Sequence, residues 1–392
     1  WLGLRLSVVI PTHNRRPQLQ QCLDSLARQS VLPQEFEVVI VDDGSTDDTG
    51  AMVAARRDPF AVKYYRQEAA GPGAARNRGV RMAAGELVLF IGDDIYADGR
   101  LLEEHLLAHA TRRDPGAAVL GHIDWAPNLA PNAVMRYVTG DGMLQFAYDL
   151  IARLPRLDHR FFYTSNVSLK RAFLVAAADD GVVFDAAFRR AAFEDSELAF
   201  RLAPRGLDLR YAPQARAYHD HWMDVDSFAR REFGAGEMAV VFYRKHPGQD
   251  DQLQVRAVTE VLAPAAALPR DPALRQSLAS FDAESDVLLR SLASSLDALF
   301  ALEQSTSGPT ASLTGDRLRV AHQNVLRAIF DVERARGKLQ EWCRDVEDVD
   351  LVRNAQTLAA VTRKIEFLQG DVARANGWFG AVAAVDPASV AA

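Results

Sequence analysis

The sequence predicts an α/β fold, a mostly parallel sheet flanked by helices, followed by an all-α C-terminal domain. Three observations carry that prediction. Over the first half, short β-branched runs alternate with segments whose apolar residues recur at helical spacing. The strand-like runs are apolar at nearly every position, as in strands buried on both faces of a parallel sheet. From about residue 250 glycine becomes rare and apolar residues recur in steps of three and four. The expected domains are therefore 1–250 and 251–392.

The elements follow in order. "RLSVVIP" is a strand closed by Pro11, and "QLQQCLDSLARQS" is a helix with Leu19, Cys22, Leu23 and Leu26 on one face. "EFEVVIVDDGS" is a strand that stops at a turn, "TDDTGAMVAARR" a helix, "AVKYYRQ" a strand, "GAARNRGVRMAAG" a helix and "LVLFIGDD" a strand. "AAVLGHID" and "ARAYHDH" read as further strands. Pro264, Pro269 and Pro272 mark a linker, and three amphipathic series follow: Leu288 to Leu299, Leu318 to Val346 and Leu351 to Val372. Ligands of a parallel α/β sheet bind at the carboxyl ends of its strands, and the polar clusters of the first half lie at those ends.

Composition narrows the class of protein. The 392 residues allow two or three domains at roughly 150 residues each. With 48% apolar and 25% charged residues the chain is globular, and a net charge of −7 argues against a nucleic-acid surface. Cys22 and Cys343 lie too far apart in sequence for metal-ligand spacing, and so few cysteines suit a reducing, cytoplasmic compartment. No run approaches the roughly 20 apolar residues of a membrane span, so a soluble protein is expected. Residue 1 is Trp rather than Met, which leaves open a preceding segment and a peripheral anchorage at the membrane.

Five stretches carry chemistry. In "VVIVDDGSTD", Asp42 or Asp43 can accept from a base N–H or a ribose hydroxyl, or cap the following helix. "GPGAARNRG" resembles a phosphate loop but has Arg76 where the third glycine of a dinucleotide fingerprint belongs, and a guanidinium there can fork onto a diphosphate, meet a base, or form a surface salt bridge. Asp93 and Asp94 are adjacent; two carboxylates about 4 Å apart repel by about 4 kcal/mol at an effective dielectric of about 20. A hard divalent ion, Mg²⁺ or Mn²⁺, offsets that repulsion, and so does water in an exposed turn. His219 and His221 point the same way from an extended segment and can share a ligand, which tilts the choice toward Mn²⁺. Glu194, Asp195 and Glu197 open a helix, where they cap its N-terminus or leave one carboxylate facing a cleft as a general base.

In this order, "VVIPTHNR", "VIVDDGSTD", "GPGAARNRG", "LFIGDD" and "FEDSELAFRL" resemble the family 2 glycosyltransferases, over about residues 5 to 245. The resemblance implies the Rossmann-like A-type glycosyltransferase fold and inverting transfer of a sugar from a nucleoside diphosphate donor, with a uridine donor expected. It further implies that Pro11, Thr12 and Arg15 line the nucleotide pocket, that Asp42 or Asp43 accepts from the base, and that Arg76 holds the base or diphosphate. Asp94 matches the last acid of the family's Asp-x-Asp metal motif, whose first position is Gly92 here, and Asp93 becomes the candidate for the ribose contact. Asp195 matches the catalytic base with Glu194 shaping its pocket, His219 a late metal or diphosphate contact with His221 second, and Asn166 and Ser168 a segment beside the acceptor and donor sugar. Trp222 is a candidate to stack on an acceptor sugar.

The Gln-x-x-Arg-Trp motif and membrane helices of processive relatives are absent, so the expected enzyme adds one or a few sugars to a glycan, lipid-linked or protein acceptor. The C-terminal helices leave open a homo-oligomer, a cover for the acceptor cleft, or a partner enzyme. A nucleotidyltransferase is the nearest alternative, but it would place glycines after the first strand, and "PTHNRR" has none. A non-catalytic nucleotide-binding scaffold is the alternative from another class.

Overall fold

The computed structural model describes residues 3–140, 144–178 and 182–248, and scattered residues between 283 and 341. The first three units of the chain alternate as the sequence predicts: β1 (Leu6–Thr12), α1 (Arg16–Leu26), β2 (Phe36–Asp42), α2 (Thr49–Ala55), β3 (Ala61–Arg66) and α3 (Pro72–Met82). Then come β4 (Leu87–Ile91), β5 (Ile95–Ala97), α4 (Leu101–Ala110), β6 (Ala117–Trp125), α5 (Ala133–Thr139) and α6 (Tyr148–Ile151). β7 (Asn166–Lys170), α7 (Arg171–Ala176), α8 (Glu194–Leu202), β8 (Asp208–His219) and α9 (Val225–Lys245) complete the described elements.

The chain divides into two compact units, Trp1–Pro131 with Leu144–Trp222, and Asn132–Met143 with Met223–Ala392. α9, expected as part of a domain ending at residue 250, thus falls in the second unit.

The first unit is built on one sheet in the order β3-β2-β1-β4-β7-β6-β8-β5. β1 to β4 pair in parallel because helices return the chain between them. Every residue of β2 and β4 is buried, as is the α1 face of Leu19, Cys22, Leu23 and Leu26. α3 can lie close on β1 because residue 79 is glycine: a Cβ there would collide with Val9. The sheet is mixed rather than wholly parallel, since β7 runs antiparallel to both β4 and β6, and β5 antiparallel to β8.

In the second unit, Asn132 caps α5 by accepting from the Met135 N–H, and Asp224 and Ser227 form a reciprocal capping box on α9. Gly236 of α9 and Gly337 each face backbone of the other's segment where a Cβ would clash, so the two segments cross at close range. The buried Glu232 carboxylate accepts from Arg334 at 2.7 Å beside that crossing. Ile329, from the second amphipathic series, is helical and buried as its spacing predicts. The other two series, and the proline-marked linker, lie outside the described residues. Among the described residues no helix is long and apolar enough to cross a membrane.

Candidate active site

Strand directions bring the polar residues to one edge of the sheet. β1 ends at Thr12 and β2 at Asp42, paired with each other. β4 ends at Ile91 opposite Asn166, where the antiparallel β7 begins. β6 and β8 run parallel and end together at Trp125 and His219, and His219 also pairs Ile95, where β5 starts.

Asp93 and Asp94 fill the short turn between β4 and β5. Asp94 Oδ2 is the focus: Arg15 Nη1 is 2.5 Å from it, His219 Nε2 3.4 Å and His221 Nδ1 3.4 Å. The Asp220 N–H donates to the Asp94 carbonyl at 2.8 Å, which fastens the turn to the end of β8. Asp93 accepts from Thr12 Oγ1 at 2.8 Å and from Arg15 at 3.3 Å. Both carboxylates are nearly inaccessible, so the exposed-turn alternative, in which water relieves the repulsion, does not hold. Burial pushes the Asp94 carboxyl up, but His219, His221 and Arg15 outweigh it and hold it well below the usual carboxylate range. Burial and then the Asp94 charge raise Asp93 instead, against Arg15 and Thr12. Gly92 has a packing reason: a Cβ there would lie 2.7 Å from Asp94 Oδ1.

The ligand atoms of Asp94, His219 and His221 all lie within 4.8 Å of one another. One carboxylate oxygen and two imidazole nitrogens form a donor set that fits a divalent ion such as Mn²⁺, and fits Mg²⁺, which favours all-oxygen ligands, less well.

Asp195 opens α8 one residue after Glu194, as the sequence predicts. The residue before them, Phe193, has φ 64°, a left-handed conformation uncommon for a side chain of that size. Asp195 accepts from the Ser196 N–H at 2.8 Å and from the Thr164 N–H at 3.4 Å. Thr164 lies two residues ahead of β7, so Asp195 stands at the same sheet edge as the Asp94 turn. Burial raises the Asp195 carboxyl, with Arg76 and the backbone N–H groups acting against it. Glu194 is buried; burial and the Asp195 charge push it up, opposed by Arg76.

Several residues stand elsewhere than the sequence reading expects. Arg76 is buried on α3, with Nη1 2.9 Å from Glu194 Oε1 and its guanidinium over the Phe184 ring, which commits it to the carboxylate pair of α8. Asn166 and Ser168 alternate onto a fully buried face of β7 rather than toward an accessible acceptor surface. Ser168 Oγ lies 2.8 Å from His105 Nδ1 and 2.9 Å from His109 Nε2; Asn166 Oδ1 lies 2.9 Å from His105 Nε2. Asn166 Nδ2 donates to the carbonyls of Ala215 and His122, which flank an irregularity in the β6/β8 ladder. Asp42 accepts from the Ser45 N–H and from Tyr64, while Asp43 accepts from Gln67 and from the N–H groups of Ala70 and Gly71. Both acids organise the loops at the ends of β2 and β3, with carboxylate lone pairs left for a ligand. Pro11 is partly exposed, and Trp222, beside His221, is more than half exposed.

Reasoning from sequence missed four residues. Asn14, with φ 53°, carries an amide oxygen that accepts from the Thr46 N–H at 2.7 Å and ties the two loops together. His105 and His109, four apart on α4, were visible as a helical pair. Trp125 gave no signal beyond its place at a strand end.

Residues 7–171 match the family model described as glycosyl transferase family 2. The chain is 34% identical over 270 residues to validoxylamine A glucosyltransferase of Streptomyces hygroscopicus subsp. limoneus, which covers 62% of this chain and 57% of that protein. The chain therefore spans less than two thirds of that relative. Over 103 residues it is 39% identical to the poly(ribitol-phosphate) beta-N-acetylglucosaminyltransferase TarS of Staphylococcus aureus (strain Mu50 / ATCC 700699), covering 26% of this chain and 18% of that protein. Its fold is that of a mannosyltransferase from Pyrobaculum calidifontis solved in complex with GDP-Man and Mn2+, at a TM-score of 0.52 and 18% identity over 87% of this chain and 88% of that one. Over residues 7–171, the chain is thus similar to glycosyl transferase family 2.

Proposed function

We propose that this protein is a non-processive inverting glycosyltransferase that moves a sugar from a nucleoside diphosphate donor, a UDP-sugar in the first instance, to an acceptor hydroxyl on a glycan, lipid-linked or protein substrate. The observation that carries this reading is the convergence, at one sheet edge, of a compact Asp94, His219 and His221 donor set with a separate carboxylate, Asp195, on α8. A single displacement needs that separation, because the leaving diphosphate and the incoming oxygen occupy opposite faces of the anomeric carbon.

Asp195 takes the proton of the acceptor hydroxyl as its oxygen bonds to the anomeric carbon, and the bond from that carbon to the diphosphate oxygen breaks. Burial suits Asp195 to this task by raising its proton affinity above that of an ordinary aspartate. Arg76 and Glu194 hold the carboxylate end of α8 in place. Arg15, 40% exposed at its side chain, can turn from Asp93 and Asp94 onto the diphosphate. A divalent ion held by Asp94, His219 and His221 would offset the charge that grows on the departing diphosphate. Thr12, Pro11, Asp93 and one of Asp42 and Asp43 line the nucleoside side, and Trp222 offers an exposed ring to the acceptor.

The glucosyl transfer named in the validoxylamine relative makes UDP-glucose the first donor to test. Thermal unfolding with a panel of nucleotide sugars, with and without Mn²⁺, reads binding directly, since a ligand at a hundred times its Kd stabilises by about 2.7 kcal/mol. The expected result is metal-dependent stabilisation by at least one donor and slow donor hydrolysis lost in Asp94→Ala. If no uridine, guanosine or thymidine diphosphate sugar stabilises the protein with Mn²⁺ present, the reading fails.

A further inference from the structure

We propose that Trp125 is a positioning residue for the metal-ligand pair His219 and His221, acting through ring stacking where a hydrogen bond usually does that work. The inference rests on the metal site proposed above and names the group that orients it.

A histidine that binds a metal through one nitrogen is normally oriented by a hydrogen bond from the other, to a carboxylate, carbonyl or water. His219 lacks that support: Nε2 faces Asp94, while Nδ1 is buried without a hydrogen-bond partner. Nothing of that kind fixes the ring's rotation about its Cβ–Cγ bond, yet rotation decides whether Nε2 points at Asp94.

Ring packing supplies the constraint. Trp125 and His219 are register partners at the ends of the parallel strands β6 and β8. Their rings stack at an interplanar angle of 9° with centroids 5.6 Å apart. His221 also stacks on His219, at 12° and 5.1 Å. Phe146, held at φ 56°, closes the edge with its ring at 80° and 5.7 Å. His219 thus packs against two flat rings and a perpendicular one. The Trp125 Nε1–H is itself buried without a partner, so what this side chain offers its neighbour is a ring face.

The same Phe146 ring meets Tyr163 at 82° and 5.6 Å, next to the Thr164 N–H that Asp195 accepts from. The ring packing on the metal side is therefore continuous with the wall of the base side.

Two substitutions separate positioning from plain core packing. Trp125→Leu keeps apolar bulk and removes the flat face; Trp125→Phe keeps a flat face and loses comparable volume. Binding of Mn²⁺ is followed by the electron paramagnetic resonance signal of the free ion, and the visible spectrum of bound Co²⁺ reports ligand geometry. Thermal unfolding without metal records the packing cost of each change. Trp125→Leu should weaken Mn²⁺ by about 10- to 100-fold, the usual range for loss of a ligand's orienting partner, and alter the Co²⁺ spectrum. Trp125→Phe should retain most of the affinity and the wild-type spectrum despite a similar fall in Tm. Equal affinity in both variants, whether lowered together or unchanged, overturns the positioning role while leaving the metal site standing. A wild-type protein that binds neither Mn²⁺ nor Co²⁺ overturns the metal site and this inference with it.

Discussion

Arg15 Nη1 lies 2.5 Å from the same Asp94 oxygen that His219 and His221 face, so a protein cation already holds the position a metal ion would approach. Arg15→Gln should bind Mn²⁺ more tightly in the absence of nucleotide, by up to about tenfold, or about 1.4 kcal/mol, because the exposed guanidinium is partly screened by solvent. Donor affinity should fall in the same variant. Calorimetric titration of Mn²⁺ alone and of donor with Mn²⁺ checks both signs, and an unchanged Mn²⁺ affinity would show that the arginine does not compete.

Asp195→Asn should lower transfer by about 10² to 10⁴, the range for loss of a general base, while donor binding persists. Equal loss of donor affinity would place Asp195 in the nucleotide site instead.

Arg76 favours the ionised forms of Asp195 and Glu194. Without it both carboxyls hold their protons to higher pH, so the base is lost over a wider acidic range. Arg76→Gln should therefore move the acidic limb of kcat/KM upward in pH. A pH-rate profile that stays in place while donor affinity drops would return Arg76 to the diphosphate.

Gly92→Ala should weaken Mn²⁺ binding, since the new Cβ would crowd Asp94 Oδ1 at 2.7 Å. The rest of the turn is unaffected, so Tm should change little. Mn²⁺ titration and thermal unfolding of the same sample decide it.

His105 and His109 give the fold a pH limit. The chain of contacts is satisfied when His109 Nε2–H donates to Ser168 Oγ, Ser168 donates to His105 Nδ1, and His105 Nε2–H donates to Asn166 Oδ1. Both rings are then neutral. Burial lowers His105 to about 4, against a weaker upward pull from Asn166. For His109, burial and then His105, Lys170 and Arg112 lower it to about 3. Below about pH 6.5 the unfolded chain takes up protons that the folded chain refuses, so stability falls with pH down to about 4 and then levels for His105. That single group accounts for about 3 kcal/mol at 1.36 kcal/mol per pKa unit. Chemical denaturation at pH 7.5 and 4.5 should show the loss, and His105→Gln should show a shallower one.

The alternation of strand and helix was readable because buried strands and amphipathic helices leave different periods in the sequence. The cluster of Asp94, His219 and His221 was readable as well, because the side-chain types and the strand ends that bring them together are visible residue by residue. Arg76, Asn166 and Ser168 were harder. Each looks like a cleft residue by type, and its direction depends on which neighbour packs over it: Glu194 for the first, His105 and His109 for the others. The reversed β7 was hidden for the same reason, since an apolar alternation says that a strand has a buried face and nothing about its direction.

The irregularity between Gly121 and His122 frees the placement of His219 from strand length. β6 advances one residue there while its partner positions on β8 advance from Ala212 to Arg216, and the Asn166 amide bridges the step by donating to His122 and Ala215. Partners in register share a face, so Ala212 and Arg216, four residues apart, lie on opposite faces, and simple alternation is interrupted at positions 213–215, which have no β6 partners. The face from which His219 emerges is therefore set by the register of Arg216–His219 with His122–Trp125, beside the Asn166 amide, and not by the number of residues that precede it.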